Sequence, residues 1–284
     1  MATRLLTPKD LADALGVSES SLKRWIDGGR VAASRTEGGH RRIALADAIR
    51  FIRKSGVPVL RPEILGMPEI PPARPGVRQA DDSLYAVLRE GDVQAVRGWL
   101  LGRYLAGVTV AELCDGPIRA AMTEIGELWM QSDDGVFIEH RATDACQQAL
   151  SHLRGLATPD ARAPVAVGAT PEGDTHVMPA LMVATVLGAA GMNPVNLGAD
   201  TPLSAMQHAV ATHAPTLVCV SATSPLAPAR ARAVGRWLGS LGPRVTVVVG
   251  GRQRGVLAKA GGPSVQALDS MGDLAAVAAA LVAL

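Results

Sequence analysis

Two short stretches hold the side chains best suited to chemistry. In "TPEGDTHVMP", Asp174 stands two residues before His176. A carboxylate at that spacing can bond one imidazole nitrogen, fix the tautomer and leave the other nitrogen for a metal. In "GELWMQSDDGVFIEH", Trp129 ends one apolar run and Glu139-His140 opens the next. From Glu139 the apolar residues recur at Ala142, Cys146, Ala149, Leu150 and Leu153, the three-and-four spacing of one helix face. That pattern puts Glu139 on a buried face, where an isolated carboxylate is costly and tends to protonate. The local sequence supplies it no partner, so one is expected from elsewhere. Taken alone, the first stretch reads as a solvated loop, and the plain alternative for the second, a bundle-core Trp beside a surface Glu-His, leaves Glu139 on the apolar stripe unexplained; the surrounding elements decide.

The Asp174 stretch follows "VAVGAT", the first of several β-rich runs that alternate with helical patterns after "TPDARAP": "NPVNLG", "TLVCVSA", "RVTVVVGG" and "VQAL". Helices are expected over 179–190, 202–213 and 225–240, and at the C-terminus. Such alternation predicts a parallel, doubly wound (Rossmann-like) α/β domain over 162–284, with ligands outside the carboxyl ends of its strands. No Gly-rich dinucleotide fingerprint follows the first strand and no GK[ST] occurs, which excludes the common nucleotide-cofactor motifs. The Trp129 stretch lies in a region, 83–157, read as a four-helix bundle over 83–90, 93–106, 110–131 and 136–156, with Asp115-Gly116-Pro117 placed to break the third helix. Residues 58–82, rich in proline, read as a linker.

The first 57 residues differ in character, with 11 Lys/Arg against 6 Asp/Glu, while the remaining 17 against 20 leave an acidic excess. Only this first module looks built for a polyanion. "TPKDLADALG" predicts a short helix capped by Thr7 and stopped at Gly16, and "SESSLKRWIDGG" a second capped by Ser18. Leu22, Trp25 and Ile26 share its inner face, leaving Ser20, Lys23 and Arg24 outside. "RVAASRTEGGHRRI" then predicts a hairpin turning at Glu37-Gly38-Gly39, with Arg35, His40, Arg41 and Arg42 around the tip. Trp25 is expected in the core rather than against a base. The three cysteines, Cys114, Cys146 and Cys219, are odd in number and widely spaced among apolar residues, the pattern of buried thiols. Apolar runs too short for a bilayer and an N-terminus without signal-peptide layout predict a cytoplasmic protein without a membrane partner.

The N-terminal block, "RTEGGHRR" above all, resembles the winged helix-turn-helix of the MerR and excisionase-like regulators. That implies double-stranded operator DNA as partner, met by Ser20, Lys23, Arg24, Arg35, His40, Arg41 and Arg42. A helical bundle followed by "DTH" after the first strand of a doubly wound domain resembles the cobalamin-binding modules. The resemblance implies His176 as the lower ligand of cobalt, with Asp174 behind it. It also implies Ser221, Thr223, Gly250 and Gly251 around the displaced nucleotide tail, where small residues permit close approach. Trp129, nine residues, then Glu139-His140 resembles the upper-face motif of the CarH-type cobalamin photoreceptors, whose three side chains enclose the adenosyl group of adenosylcobalamin.

The sequence departs from these patterns at three positions. Pro179 stands where the cobalamin motif has Gly, Thr223 where Leu is common, and Met130 where the CarH-type proteins carry a histidine that takes the upper cobalt position after light. A thioether is a poor substitute for imidazole on oxidised cobalt. The expectation is therefore a non-enzymatic, cobalamin-responsive regulator, a light-sensing repressor in which adenosylcobalamin sets the state of a homo-oligomer, dimer or tetramer. Two other readings stay open: a corrinoid-carrying methyltransferase component, and a regulator whose sensor half has lost cobalamin.

Overall fold

A computed structural model describes residues 4–70, 83–128, 134–157 and 159–284. The chain divides into two compact units, Met1–Thr109 with Pro117–His152, and Val110–Gly116 with Leu153–Leu284.

The first unit opens with β1 (Leu5–Leu6), α1 (Pro8–Leu15), α2 (Glu19–Asp27), β2 (Ser34–Arg35), β3 (Arg41–Ala44) and α3 (Leu45–Ser55). Thr7 and Asp10 form a reciprocal capping box on α1, and Gly16 ends it at φ 66°. Ser18 then caps α2. With only three residues, Gly16, Val17 and Ser18, between the helices the chain must turn sharply, which gives the helix-turn-helix. The strands form an antiparallel sheet in the order β1-β3-β2. Leu11, Leu15, Leu22, Val31, Ile43, Ile49 and Ile52 form its buried interior. The proline-rich segment is ordered where it begins: Pro62–Leu65 form a 3₁₀ turn with Leu65 buried. There the amides of Leu60 and Arg61 both donate to the Ala14 carbonyl, 2.9 and 3.0 Å away.

Helical segments follow as α4 (Leu84–Glu90), α5 (Val93–Leu105), α6 (Val110–Leu113), a π turn (Cys114–Ile118), α7 (Arg119–Glu127) and α8 (Gly135–Leu156). The third expected helix is thus interrupted at Asp115-Gly116-Pro117. Pro117 lacks the N–H of a regular turn, and the backbone widens by one residue to accommodate it.

In the second unit β4 (Val165–Ala169), β5 (Asn193–Asn196), β6 (Leu217–Ser221), β7 (Thr246–Gly250) and β8 (Val265–Ala267) pair in parallel, in the order β5-β4-β6-β7-β8. This is the doubly wound order with its switch point between β4 and β6. The connecting helices are α9 (Val177–Ala189), α10 (Leu203–His213), α11 (Pro228–Gly239), α12 (Arg254–Gly261) and α13 (Met271–Val282). The sequence pattern does not forecast α12, which has no side-chain cap and buries only Leu257. Ala169, Val218, Val220, Val247 and Val249 pack with Met206 of α10, Val234 and Leu238 of α11 and Leu257 of α12. Alternate strand residues face the other way. That opposite face carries α9, whose Val183 lies against Gly168, with α13 packed beside it.

Candidate functional site

The loop after β4 and the loop after β6 meet at the switch point. Asp174 is fully buried there, and its Oδ1 lies 2.7 Å from Nδ1 of His176. Its Oδ2 accepts the backbone amides of Thr223 and Ser224 at 2.5 and 3.0 Å. The Ser224 hydroxyl adds a bond to Oδ1 at 3.2 Å and lies 3.3 Å from His176 Nδ1. Burial alone would raise the Asp174 carboxyl, but the Thr223 amide, His176 and the Ser224 amide outweigh it and hold the group below the usual carboxylate range. An ionised Asp174 places the Nδ1 proton of His176 between them and leaves Nε2 as a lone-pair donor on a side chain that is 53% exposed.

The loop around this pair is fixed from a second side. Thr170 donates its amide to Gly198, Glu172 to Thr201 and Asp200 to the Asp174 carbonyl, all at 2.9 Å. Asp200, in the left-handed region at φ 50°, accepts the Gly173 amide at 2.7 Å. The helix behind His176 begins at Val177, so Pro179 is its third residue rather than its first. All first-turn amides lack intrahelical acceptors, so proline fits there without losing a bond. Thr223 contributes its main chain to Asp174, which makes its departure from Leu inconsequential for that bond. Ser224 was missed by sequence reasoning; its one signal is its place three residues after Ser221, at the end of a strand flanking the switch point.

On the α9 face of the sheet the carboxyl ends carry small residues. Ser221 pairs in register with Gly250, and a methyl group added to Gly250 would meet only the Ser221 hydroxyl, at 3.9 Å. Gly251, at φ 82°, packs so closely on the Ala222 backbone that an added methyl would lie 2.3 Å from its carbonyl oxygen. Just beyond β4, the wholly buried Thr170 hydroxyl has no hydrogen-bond partner among the described residues. A half-exposed, oriented imidazole beside a face cleared of side chains and a polar group awaiting a partner fits a large planar metal complex with a polar tail. Among the described residues no group of three His, Cys, Asp or Glu side chains could hold a metal ion, so His176 is suited to a metal that arrives in its own chelate.

On α8 the buried stripe is Ile138, Ala142, Ala145, Cys146, Ala149, Leu150 and Leu153. Glu139 flanks it instead of lying in it, with its side chain 33% exposed. It also has a local partner, contrary to the sequence expectation: Thr143, one turn on, donates to Glu139 Oε1 at 2.9 Å. His140 Nε2 lies 3.5 Å from Glu139 Oε2 on a largely exposed side chain. Val136 and Phe137 beside them are exposed apolar residues. Trp129 and Met130 lie outside the described residues.

In the winged module Ser20, Lys23 and Arg24 are exposed along α2. Lys23 pairs with Glu19 at 2.8 Å and Arg24 bonds the Ser21 hydroxyl at 3.2 Å. Trp25 packs on the buried Phe51, ring centroids 5.2 Å apart, but is itself half-buried at the border of the core. In the wing Arg35 sits opposite Arg41, and Gly39 makes the turn at φ 76°. Arg35 and His40 are exposed, whereas Arg41 reaches back to Asp27 at 2.5 Å and pins the wing to the end of α2. Arg42, half-buried, lies on the strand's other face.

Comparison with known proteins agrees with this geometry. Residues 5–55 match the helix-turn-helix domain family, and residues 80–154 and 164–266 match two B12 binding domain families. The chain is a helix-turn-helix protein with two B12-binding domains. Of its relatives, the HTH-type transcriptional repressor CarA of Myxococcus xanthus is 26% identical over 232 residues, 78% of this chain and 77% of that one. The Methanosarcina barkeri monomethylamine corrinoid protein shares the fold of the B12-binding part, with 19% identity, 72% of this chain and 99% of that one covered, and a TM-score of 0.56. The second B12-binding domain contains the Asp174–His176 pair, Ser221 and both glycines, and the first contains Glu139 and His140. Among the described residues, no helix is long and apolar enough to cross a membrane.

Proposed function

We propose that this chain is a cytoplasmic, cobalamin-responsive transcription repressor that binds double-stranded operator DNA and has no catalytic turnover. Its ligand is adenosylcobalamin, and the bound form sets its oligomeric state, dimer or tetramer. The observation that carries the reading is the Asp174–His176 pair at the switch point, in a chain whose other end is a winged helix-turn-helix. The repressor name of the Myxococcus relative supports the sign of regulation.

In this reading His176 would hold the cobalt of the cofactor through Nε2, and Asp174 would fix the ring's orientation and raise its basicity. Ser221, Thr223, Gly250 and Gly251 line the path of the nucleotide tail. Trp129, Glu139 and His140, with Met130 of the same motif, would serve the adenosyl group, Glu139 accepting from its hydroxyls or amine. Bound adenosylcobalamin would supply a Co–C bond that visible light cleaves. Ser20, Lys23, Arg24, Arg35, His40 and Arg42 meet the DNA, and Arg41 positions the wing.

The test is to incubate the purified protein with adenosylcobalamin in the dark, remove free ligand and record the visible spectrum, with His176→Ala alongside. The expected result is a coloured wild type and a variant that binds weakly and shows a base-off spectrum. A colourless wild type that still binds promoter DNA would sink the sensing half of the reading.

A further inference from the structure

The acidic excess of residues 58–284 conceals a segregation of charge. All 26 acidic residues of the chain lie outside Thr201–Leu268, a stretch that holds seven Lys/Arg. That stretch supplies α10, α11 and α12, the layer that covers one face of the parallel sheet through Met206, Val234, Leu238 and Leu257. The imidazole and small residues of the B12 site belong to the strand ends and the opposite face.

Two of the seven cations are neutralised by carboxylates from outside the stretch: Arg230 pairs with Glu172 at 3.0 Å and Arg254 with Asp269 at 2.6 Å. Arg232, Arg236, Arg244, Arg252 and Lys259 are exposed and pair with no carboxylate among the described residues. Arg232 and Arg236 are one turn apart on the outer side of α11, whose inner side buries Ala231, Val234 and Leu238. Lys259 comes from α12, the helix packed against α11. The usual solvated helix surface intersperses both signs; a layer with no acid at all carries an uncompensated positive field suited to a polyanion.

We propose that the α10–α12 face of the B12-binding unit is a second, sequence-independent contact for the phosphate backbone of duplex DNA, in addition to the winged module. Of the three free cations that these helices carry, Arg232, Arg236 and Lys259, two are arginine, whose planar fork suits phosphate oxygens. The proposal rests on the reading of the chain as a DNA-binding protein. It would extend the polyanion contact beyond the first 57 residues, to which the charge balance alone assigns it.

The test uses the full chain and a random-sequence 60-base-pair duplex, with fluorescence anisotropy from 50 to 300 mM salt. Arg232→Gln with Arg236→Gln is expected to weaken binding about tenfold at 100 mM salt and to lower the slope of log K against log salt by about 2, since each lost phosphate contact removes roughly 0.9. Arg35→Gln in the wing serves as the reference, and sedimentation measures self-association of every version. If the wild type binds no duplex, the DNA-binding reading itself fails. If Arg35→Gln weakens binding while the α11 double variant leaves affinity and slope unchanged, only the second contact is overturned. A loss of DNA affinity that tracks a loss of self-association also overturns it, because the face then serves an acidic surface of a second copy.

Discussion

His176 Nδ1 and Asp174 Oδ1 lie 2.7 Å apart, and the Asp174 carboxylate is held in turn by the Thr223 and Ser224 amides. The imidazole is therefore oriented by the loop after β6, although it belongs to the loop after β4. Asp174→Asn would keep the shape and lose the charge. B12 affinity is expected to fall 10- to 100-fold, the usual cost of removing such a support, by absorbance titration. Unchanged affinity would show that Asp174 does not position the ligand.

The same carboxyl gives a pH dependence. Its acidity is increased in the folded protein, so it contributes stability that is present above the ordinary carboxylate pKa of about 4 and is lost as pH falls through the lower, folded value. The melting temperature of ligand-free wild type should exceed that of Asp174→Asn at pH 7, with the gap closing between about pH 4 and lower values. A gap that persists unchanged at pH 3 would contradict an ionised Asp174.

Gly250 and Gly251 separate room for a ligand from room for the fold. A methyl group on Gly250 meets only the Ser221 hydroxyl at 3.9 Å, so Gly250→Ala should leave the melting temperature nearly unchanged while narrowing the tail's path and weakening B12 binding. On Gly251 the same methyl collides with the Ala222 backbone at a φ that disfavours any side chain. Gly251→Ala should cost about 2 kcal/mol of stability, read by denaturant unfolding. Equal effects of both changes on stability would remove the distinction.

The wing offers a comparable pair. Arg35, exposed on the strand opposite Arg41, makes no ion pair among the described residues, while Arg41 is bound to Asp27. Arg35→Gln should lower the salt slope of DNA binding by about 1, as loss of one phosphate contact does. Asp27→Asn should weaken binding without changing that slope as much, because it frees the wing and leaves every cation in place. The reverse order of effects would make Arg41 the direct contact.

Much of this was legible because it is written in local chemistry. Thr7, Ser18 and Gly16 mark the helix-turn-helix by caps that act within four residues, and the alternation of β-rich and helical runs fixes a doubly wound sheet. Asp174-x-His176 was visible for the same reason. What escaped depends on contacts between distant segments: Ser224 is defined by its reach to a residue 50 positions away. The misreading of Glu139 has a different cause. Spacing places a residue within about a third of a helical circumference, and Glu139 sits towards the edge of the stripe that Ala142 centres, where Thr143 can bond it. The basic layer is hidden in a net charge, which sums its cations with acids that all lie outside Thr201–Leu268.

The final prediction concerns Met130, whose thioether stands where the CarH-type proteins have imidazole. In the proposed reading, once light had removed the adenosyl group the Trp129, Glu139 and His140 motif would be left without its ligand, and the assembly should weaken. Met130 is a soft, weak donor and offers oxidised cobalt little. His140, on a largely exposed side chain beside Glu139, is the nearest imidazole in sequence that could take its place. Wild type is thus expected to form a light state that exchanges cobalamin readily, and Met130→His one that retains it for longer and shows two imidazole ligands in its spectrum. Illumination, repeated gel filtration and absorbance on both versions, with His140→Ala as a third, would decide this. A wild type that forms a stable two-imidazole spectrum even as His140→Ala would defeat the ligand argument, and one whose oligomeric state ignores both adenosylcobalamin and light would defeat the switch.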